Sequence, residues 1–234
     1  ITLENEKQQD LSLELLSGNP DTVLNNLKPF AELMMYYRCT LHEVETKLKV
    51  LSNEFNIMYN RNPIESIKTR VKAPMSIVGK LKRKGFPMTL ESIENNLFDI
   101  AGVRVICSFQ DDIYKLAEIL ARQDDIAVIE IKDYIENPKP NGYRSLHMII
   151  EIPIFLSKGK RPMKAEIQFR TIAMDFWASL EHTLKYKNQI ENPENIAFRL
   201  KACAEIINGV DVEMQDIRKL IDDLEILGDD NEQK

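Results

Sequence analysis

Residues 164–170 read Lys-Ala-Glu-Ile-Gln-Phe-Arg. That alternation sends Glu166, Gln168 and Arg170 to one face of a strand and turns Ile167 and Phe169 to the other. Three polar groups on one face of an inner strand call for an occupant. Upstream, Asp99 stands just before Gly102-Val-Arg104, where a residue without a side chain lets another group approach the backbone. If Asp99 and Glu166 lie on neighbouring strands they can share one Mg²⁺, an ion that takes one or two protein carboxylates and fills its octahedron with water and phosphate oxygen. On spacing alone a structural alternative stands beside this one, with Asp99 capping a turn and Glu166 pairing with Arg104 or Arg170. None of His42, His147 and His182 is followed by Asp, which removes the adjacent His-Asp pair of one large class of metal phosphohydrolases. A metal here is expected to be held by carboxylates alone.

A second feature is electrostatic. Residues 66–90 contain Lys68, Arg70, Lys72, Lys80, Lys82, Arg83 and Lys84 and no acid, in a chain whose net charge is −6. As a strand, residues 64–72 put Lys68, Arg70 and Lys72 on one face. On the helix that follows, Ser76, Lys80, Arg83 and Lys84 share a side. Cations gathered from two elements repel one another unless an anion neutralises them, and a polyphosphate suits that place. A solvated charged surface and an RNA contact are the competing readings.

A third is a loop, residues 136–145, kept irregular by Pro138, Pro140 and Gly142. Tyr143 could stack on a flat base, and Lys139 and Arg144 could reach phosphates. Taken singly, Tyr143 reads as an anchor of the loop, His147 as a satisfied core histidine and Trp177 as core.

The elements that must position these groups follow from periodicity. Apolar residues at Leu27, Phe30, Met34, Tyr37, Leu41, Val44, Leu48, Leu51 and Phe55 alternate by three and four, the mark of a long amphipathic helix. The rhythm returns from Ile196 through Leu200, Cys203, Ile207, Val210, Met214, Ile217 and Ile221 to Leu224, with Gly228 as the expected stop. Such narrow seams suit helix pairing within the chain or between subunits. Between them, strands are expected near 64–72, 102–108, 126–134, 145–155 and 163–170, and helices near 75–84, 111–122 and 172–187. The segment 157–161 is expected to join the last two strands as a hairpin. The fold class is therefore α/β of the α+β kind, a mixed sheet of about five strands between long terminal helices. With 44% hydrophobic and 29% charged residues in 234, the composition is that of a soluble globular protein, and no apolar run is long enough to span a bilayer. Cys39, Cys107 and Cys203 each sit in an apolar pattern and are expected as buried thiols. No secretory leader pattern is present, so a cytoplasmic location is expected.

The chain has no Gly-x-x-x-x-Gly-Lys-Ser/Thr loop and no Gly-x-Gly-x-x-Gly, so the common nucleotide folds are disfavoured. Taken in series, Arg70-Val-Lys72 with Ser76 and Lys80, Asp99-Ile-Ala-Gly-Val-Arg104, Gly142-Tyr-Arg-Ser-Leu-His147 and Glu166-Ile-Gln-Phe-Arg170-Thr171 resemble the synthetase domain of the RelA/SpoT homologues over roughly 130 residues. The chain looks like a single-domain small alarmone synthetase. It would form one domain over 1–234, with a catalytic core at 60–190 and flanking helices at 21–58 and 194–227 that make oligomer contacts.

The resemblance implies a fold similar to nucleotidyltransferases and transfer of the β,γ-diphosphate of ATP to the 3′-oxygen of GDP or GTP. By the same resemblance, Arg70 and Arg104 would sandwich adenine. Lys72, Ser76, Lys80 and Arg83 would hold the ATP phosphates, and Asp99 with Glu166 would hold Mg²⁺. Tyr143 would stack on guanine, with Lys139, Arg144, His147, Gln168 and Arg170 on the acceptor side. Glu166 would take the proton from the 3′-hydroxyl. Asp175 stands where some relatives carry Asn, and contacts from 85–98 are not legible. A homotetramer is the expected assembly. Within enzymes the alternative is pyrophosphorylation of the tRNA 3′-end. Outside them it is a non-catalytic nucleotide sensor or RNA-binding module, although the acidic balance beyond 66–90 makes nucleic acid an unexpected partner.

Overall fold

The computed structural model describes residues 20–58, 61–185 and 193–232, with side chains for 28–58, 61–184 and 194–224. Helix α1 (Pro20–Met58) leads into strand β1 (Ile64–Val71), followed by helices α2 (Pro74–Lys84) and α3 (Leu90–Asn96), strand β2 (Ala101–Cys107) and helix α4 (Gln110–Ala121). Strands β3 (Ala127–Asp133), β4 (Leu146–Leu156) and β5 (Gly159–Thr171) come next, then helices α5 (Ile172–Lys185) and α6 (Pro193–Glu232). The sheet order is β1-β2-β5-β4-β3. Among the described strand pairs only β2–β5 is parallel, a pairing that needs a crossover rather than a turn back.

One face of the sheet makes the core. Val103, Val105, Ile167, Phe169, Met148 and Ile150 are buried there in one cluster with the α1 stripe Met34, Tyr37, Leu41, Val44, Leu48, Leu51 and Phe55. The expected seam of this helix is thus spent on its own sheet and is not open to another subunit; Leu27 lies outside the described side chains. The matching rhythm on α6 has a different fate. Leu200 and Ile207 pack against Trp177, Ala178 and Ala204, while Val210, Met214, Ile217, Ile221 and Leu224 are exposed.

The sequence misjudged several features. Helix α3 was not expected; Thr89 caps it by accepting a hydrogen bond from the Ser92 amide at 3.1 Å. Strand β5 begins at Gly159, several residues earlier than expected, because the β4–β5 ladder continues through Ile154↔Arg161 and Phe155↔Lys160 up to the turn. Helix α6 runs past Gly228 to Glu232, since a glycine lowers helix propensity without forbidding the conformation. Cys107 is buried, but Cys39 is half-buried, and Cys203 is exposed because that part of the α6 stripe finds no cover among the described residues. Trp177 is buried as expected and donates from Nε1 to the Leu200 carbonyl at 2.9 Å.

Two short devices aim the site. Pro74 opens α2, and Gly85 at φ 70° closes it in the left-handed region. Lys82, Arg83 and Lys84 fall in its last turn, where cations also suit the helix dipole. Thr171 ends β5 and starts α5, accepting from the Met174 amide at 3.1 Å and donating to Asp211 Oδ2 of α6 at 2.8 Å.

Candidate active site

The register arranges the polar face in rows. Lys68, Arg104, Gln168, His147 and Lys132 stand directly opposite one another on β1, β2, β5, β4 and β3. The adjacent row runs Arg70, Gly102, Glu166, Ile149, Glu130. Cross-strand partners share a face, so the side chains expected on both nucleotide sides meet on one surface. Gly102 leaves open the space a side chain would fill between Arg70 and Glu166; an added Cβ would meet only the Arg70 carbonyl, at 3.5 Å.

Asp99 lies at the entry to β2, beside this notch. Lys72 Nζ at 3.0 Å and Lys80 Nζ at 2.7 Å both reach its Oδ2. Burial pushes the Asp99 carboxyl upward, but the two ammonium groups outweigh it and hold it below its ordinary value of 3.8. Its other oxygen, Oδ1, is buried and without a hydrogen-bond partner among the described residues. A buried carboxylate oxygen left unpaired is costly, and a hard cation is the partner it suits. Ser76 and Arg83 on α2 and Arg70 on β1 are exposed towards solvent. Neither arginine has an ion-pair partner among the described residues, which leaves both available to an anion.

Glu166 is the centre of a second network. His147 Nδ1 lies 3.0 Å from its Oε1, and Gln168 Nε2 donates to its Oε2 at 2.8 Å. Tyr143 Oη is 2.8 Å from His147 Nε2, and Arg170 donates to that same Oη at 2.9 Å. Arg170 can only donate, and a neutral imidazole that donates to the Glu166 carboxylate accepts at its other nitrogen, which sets the directions. Tyr143 Oη accepts from Arg170 and gives its own proton to His147 Nε2, leaving the Nδ1 proton to point at Glu166. Burial raises the Glu166 carboxyl, while the hydrogen bonds from His147 and Gln168 bring it below its ordinary value of 4.5. The Asp99 charge acts against them, so the two carboxylates feel each other. Two acids in mutual repulsion, one with a free oxygen, fit a shared divalent cation.

Three groups were missed or misplaced. Asp175 on α5 is a hub, its Oδ1 taking Arg170 at 2.9 Å and Arg104 at 3.2 Å while Lys68 lies 3.7 Å from Oδ2. The structural ion pairs considered for Glu166 are made by Asp175 instead. Tyr134 lies edge-on to His147, with ring centroids 5.1 Å apart. It continues the period-two phase of Lys132, a signal that was available. Arg144, expected on the acceptor side, has its guanidinium paired with Glu205 of α6 at 3.0 Å. Gly142 has a positive φ, and after it Tyr143 meets His147 while Arg144 meets Glu205.

A family described as "Region found in RelA / SpoT proteins" matches residues 69–191, the span of both networks. The chain belongs to the RelA/SpoT family. It is 43% identical over 210 residues to the GTP pyrophosphokinase YwaC of Bacillus subtilis, covering 90% of this chain and 100% of the relative. The structure of small alarmone synthetase 1 from Bacillus subtilis bound to its product pppGpp superposes with a TM-score of 0.76 at 37% identity, over 83% of this chain and 98% of that one. The same enzyme bound to AMPCPP gives a TM-score of 0.72 at 35% identity, over 84% and 99%. Among the described residues, no helix of this family member is long and apolar enough to cross a membrane.

Proposed function

We infer that the chain is a GTP pyrophosphokinase that moves the β,γ-diphosphate of ATP onto the ribose 3′-oxygen of GDP or GTP, releasing AMP and making ppGpp or pppGpp. The observation that carries this is the place of Glu166. It stands opposite the Gly102 notch, with the Lys72–Lys80–Asp99 cluster on one side and the Tyr143–His147–Arg170 network on the other. The sequence identity to a GTP pyrophosphokinase over that enzyme's full length supports the same reading.

On this reading Arg70 and Arg104 take the adenine between their planar guanidinium groups. Lys72, Ser76, Lys80 and Arg83 hold the ATP phosphates, replacing the Asp99 carboxylate as the partner of the two lysines. Tyr143 stacks on guanine, and Lys139, His147, Gln168 and Arg170 line the acceptor side. Asp99 and Glu166 hold Mg²⁺, which when bound neutralises phosphate charge and polarises the reacting phosphorus. Glu166 accepts the proton of the 3′-hydroxyl as that oxygen bonds to the β-phosphorus and the bond to the AMP oxygen breaks. His147, fixed by Tyr143 with its Nδ1 proton towards Glu166, orients the carboxylate. The rest is positioning and charge neutralisation, the main demands of phosphoryl transfer.

A homotetramer fits the exposed apolar stripe of α6 from Val210 to Leu224, and the cytoplasm is the compartment such substrates call for. The test is to incubate the purified protein with ATP, Mg²⁺ and GDP or GTP and to resolve the nucleotides by anion exchange. AMP and ppGpp or pppGpp are expected in equal amounts. Labelling of tRNA from ATP without a guanine product would favour the tRNA reading, and no product with nucleotide bound would favour a sensor.

A further inference from the structure

The loop between β3 and β4 folds back on itself. The Lys139 amide donates to the Tyr143 carbonyl at 3.2 Å and the Gly142 amide to the Lys139 carbonyl at 2.8 Å. This places Lys139 Nζ 4.5 Å from the Tyr134 ring centroid and 4.7 Å from that of Tyr143. The two rings are 6.2 Å apart at 65°, so the ammonium caps an aromatic corner. Burial there lowers the Lys139 pKa although the Glu166 charge favours its protonated form.

The rest of Tyr143 is committed. Its hydroxyl holds His147 and Arg170, and its body packs on the Trp177–Ala178–Ala204 cluster. Arg170 also lies over the ring, at 5.1 Å, but it is buried and tied to Asp175 and Gln168. Lys139 is exposed and has no ion pair among the described residues. Of the two cations over Tyr143, it is the one free to leave, on a long flexible stem whose compact ammonium suits phosphate equally well.

We propose that Lys139 is a latch on the acceptor-base platform: without acceptor its ammonium caps the Tyr134–Tyr143 corner, and an acceptor gains the Tyr143 face by drawing that ammonium onto its own phosphates. This rests on the reading of Tyr143 as the guanine platform. Base stacking and phosphate binding then become one event. The site selects a purine nucleoside di- or triphosphate over the bare nucleoside, which offers no anion to release the latch and must displace a cation–π contact unaided.

The test is isothermal titration of guanosine and of GDP into the wild-type protein, Lys139→Ala and Tyr143→Ala. Lys139→Ala is expected to bind guanosine about two- to fivefold more tightly, the factor set by an exposed cation–π contact, and to bind GDP more weakly. A lysine that served only as a phosphate ligand would lower GDP affinity and leave guanosine unmoved. Guanosine binding unchanged or weakened in Lys139→Ala, with guanosine binding lost in Tyr143→Ala, would overturn the latch and keep the platform. Tyr143→Ala without effect on either ligand would overturn the platform, and the latch with it.

Discussion

Substitution of Gly142 by alanine tests how the acceptor loop is seated. At φ 89° the residue lies in a region that side chains rarely adopt, and an added Cβ would come 2.5 Å from the Ala204 Cβ and 3.5 Å from the Lys201 Cα of α6. Ordinary contact begins near 3.4 Å, so loop and helix must part by almost an ångström, and neither atom belongs to a flexible side chain that can swing aside. The left-handed backbone costs about 1–2 kcal/mol for a residue with a Cβ, and overpacking about 1–3 kcal/mol more. The loop can relieve both by lifting from α6. Lifting would carry away Tyr143, next in sequence, and Lys139, which the Gly142 amide holds at 2.8 Å. If about 3 kcal/mol is expressed in acceptor binding, the KM for GDP rises about a hundredfold. Initial rates with GDP varied at saturating ATP, then with ATP varied at saturating GDP, separate the two sides. The KM for ATP should stay within about twofold, because the Lys72–Lys80–Asp99 cluster does not touch this loop. Adding Ala204→Gly removes the collision but not the φ strain, so part of the loss should return. An unchanged KM for GDP in a folded Gly142→Ala protein would refute the argument.

Glu166→Gln should lower kcat by a factor on the order of 10² to 10⁴ with little change in either KM, and Asp99→Asn should leave less than about a tenth of the wild-type rate; higher activity in either, by AMP release, would remove that residue from its role. Both carboxyls sit below their ordinary values in the folded chain, so the stability they contribute is complete above those values and is lost as pH falls through the folded ones. Thermal unfolding followed downwards from about pH 7 should therefore show the Asp99→Asn, Glu166→Gln double variant losing less Tm below about pH 4.5 than the wild type does. An equal loss would contradict the assigned pairs. Ile217→Lys, in the exposed α6 stripe, should reduce the assembly mass seen by light scattering while the far-ultraviolet circular dichroism is kept; an unchanged mass would place the oligomer contact elsewhere.

Most of the fold could be read where one period governed one element. The alternation through Glu166, Gln168 and Arg170 revealed the facing of β5 because each odd residue there is buried against α1. The same logic gave the cationic face of β1. It failed where partners decide. Two helices with the same three-four rhythm end differently, α1 buried on the sheet and α6 half bare, because sequence periodicity marks an apolar face without naming what covers it. Asp175 as the hub of three cations depends on α5 leaving β5 directly at Thr171, a turn that folds it back over Arg170, five residues before it, and brings it to Arg104, 71 residues away in the chain. The pairing of Arg144 with α6 depends on Glu205, some sixty residues onward. Helix α3 was missed because it is a single short segment with one cap, too brief for a period to declare itself.

The central claim, that the chain transfers a pyrophosphoryl group from ATP to the 3′-oxygen of a guanine nucleotide with Glu166 as base, is tested most directly by following position-labelled ATP. With label in the β-phosphate and GDP as acceptor, the account predicts that the label appears in ppGpp in step with unlabelled AMP, and that Glu166→Gln slows both together. Label released as free phosphate or pyrophosphate, or retained in a nucleotide with no new guanine species, would contradict it.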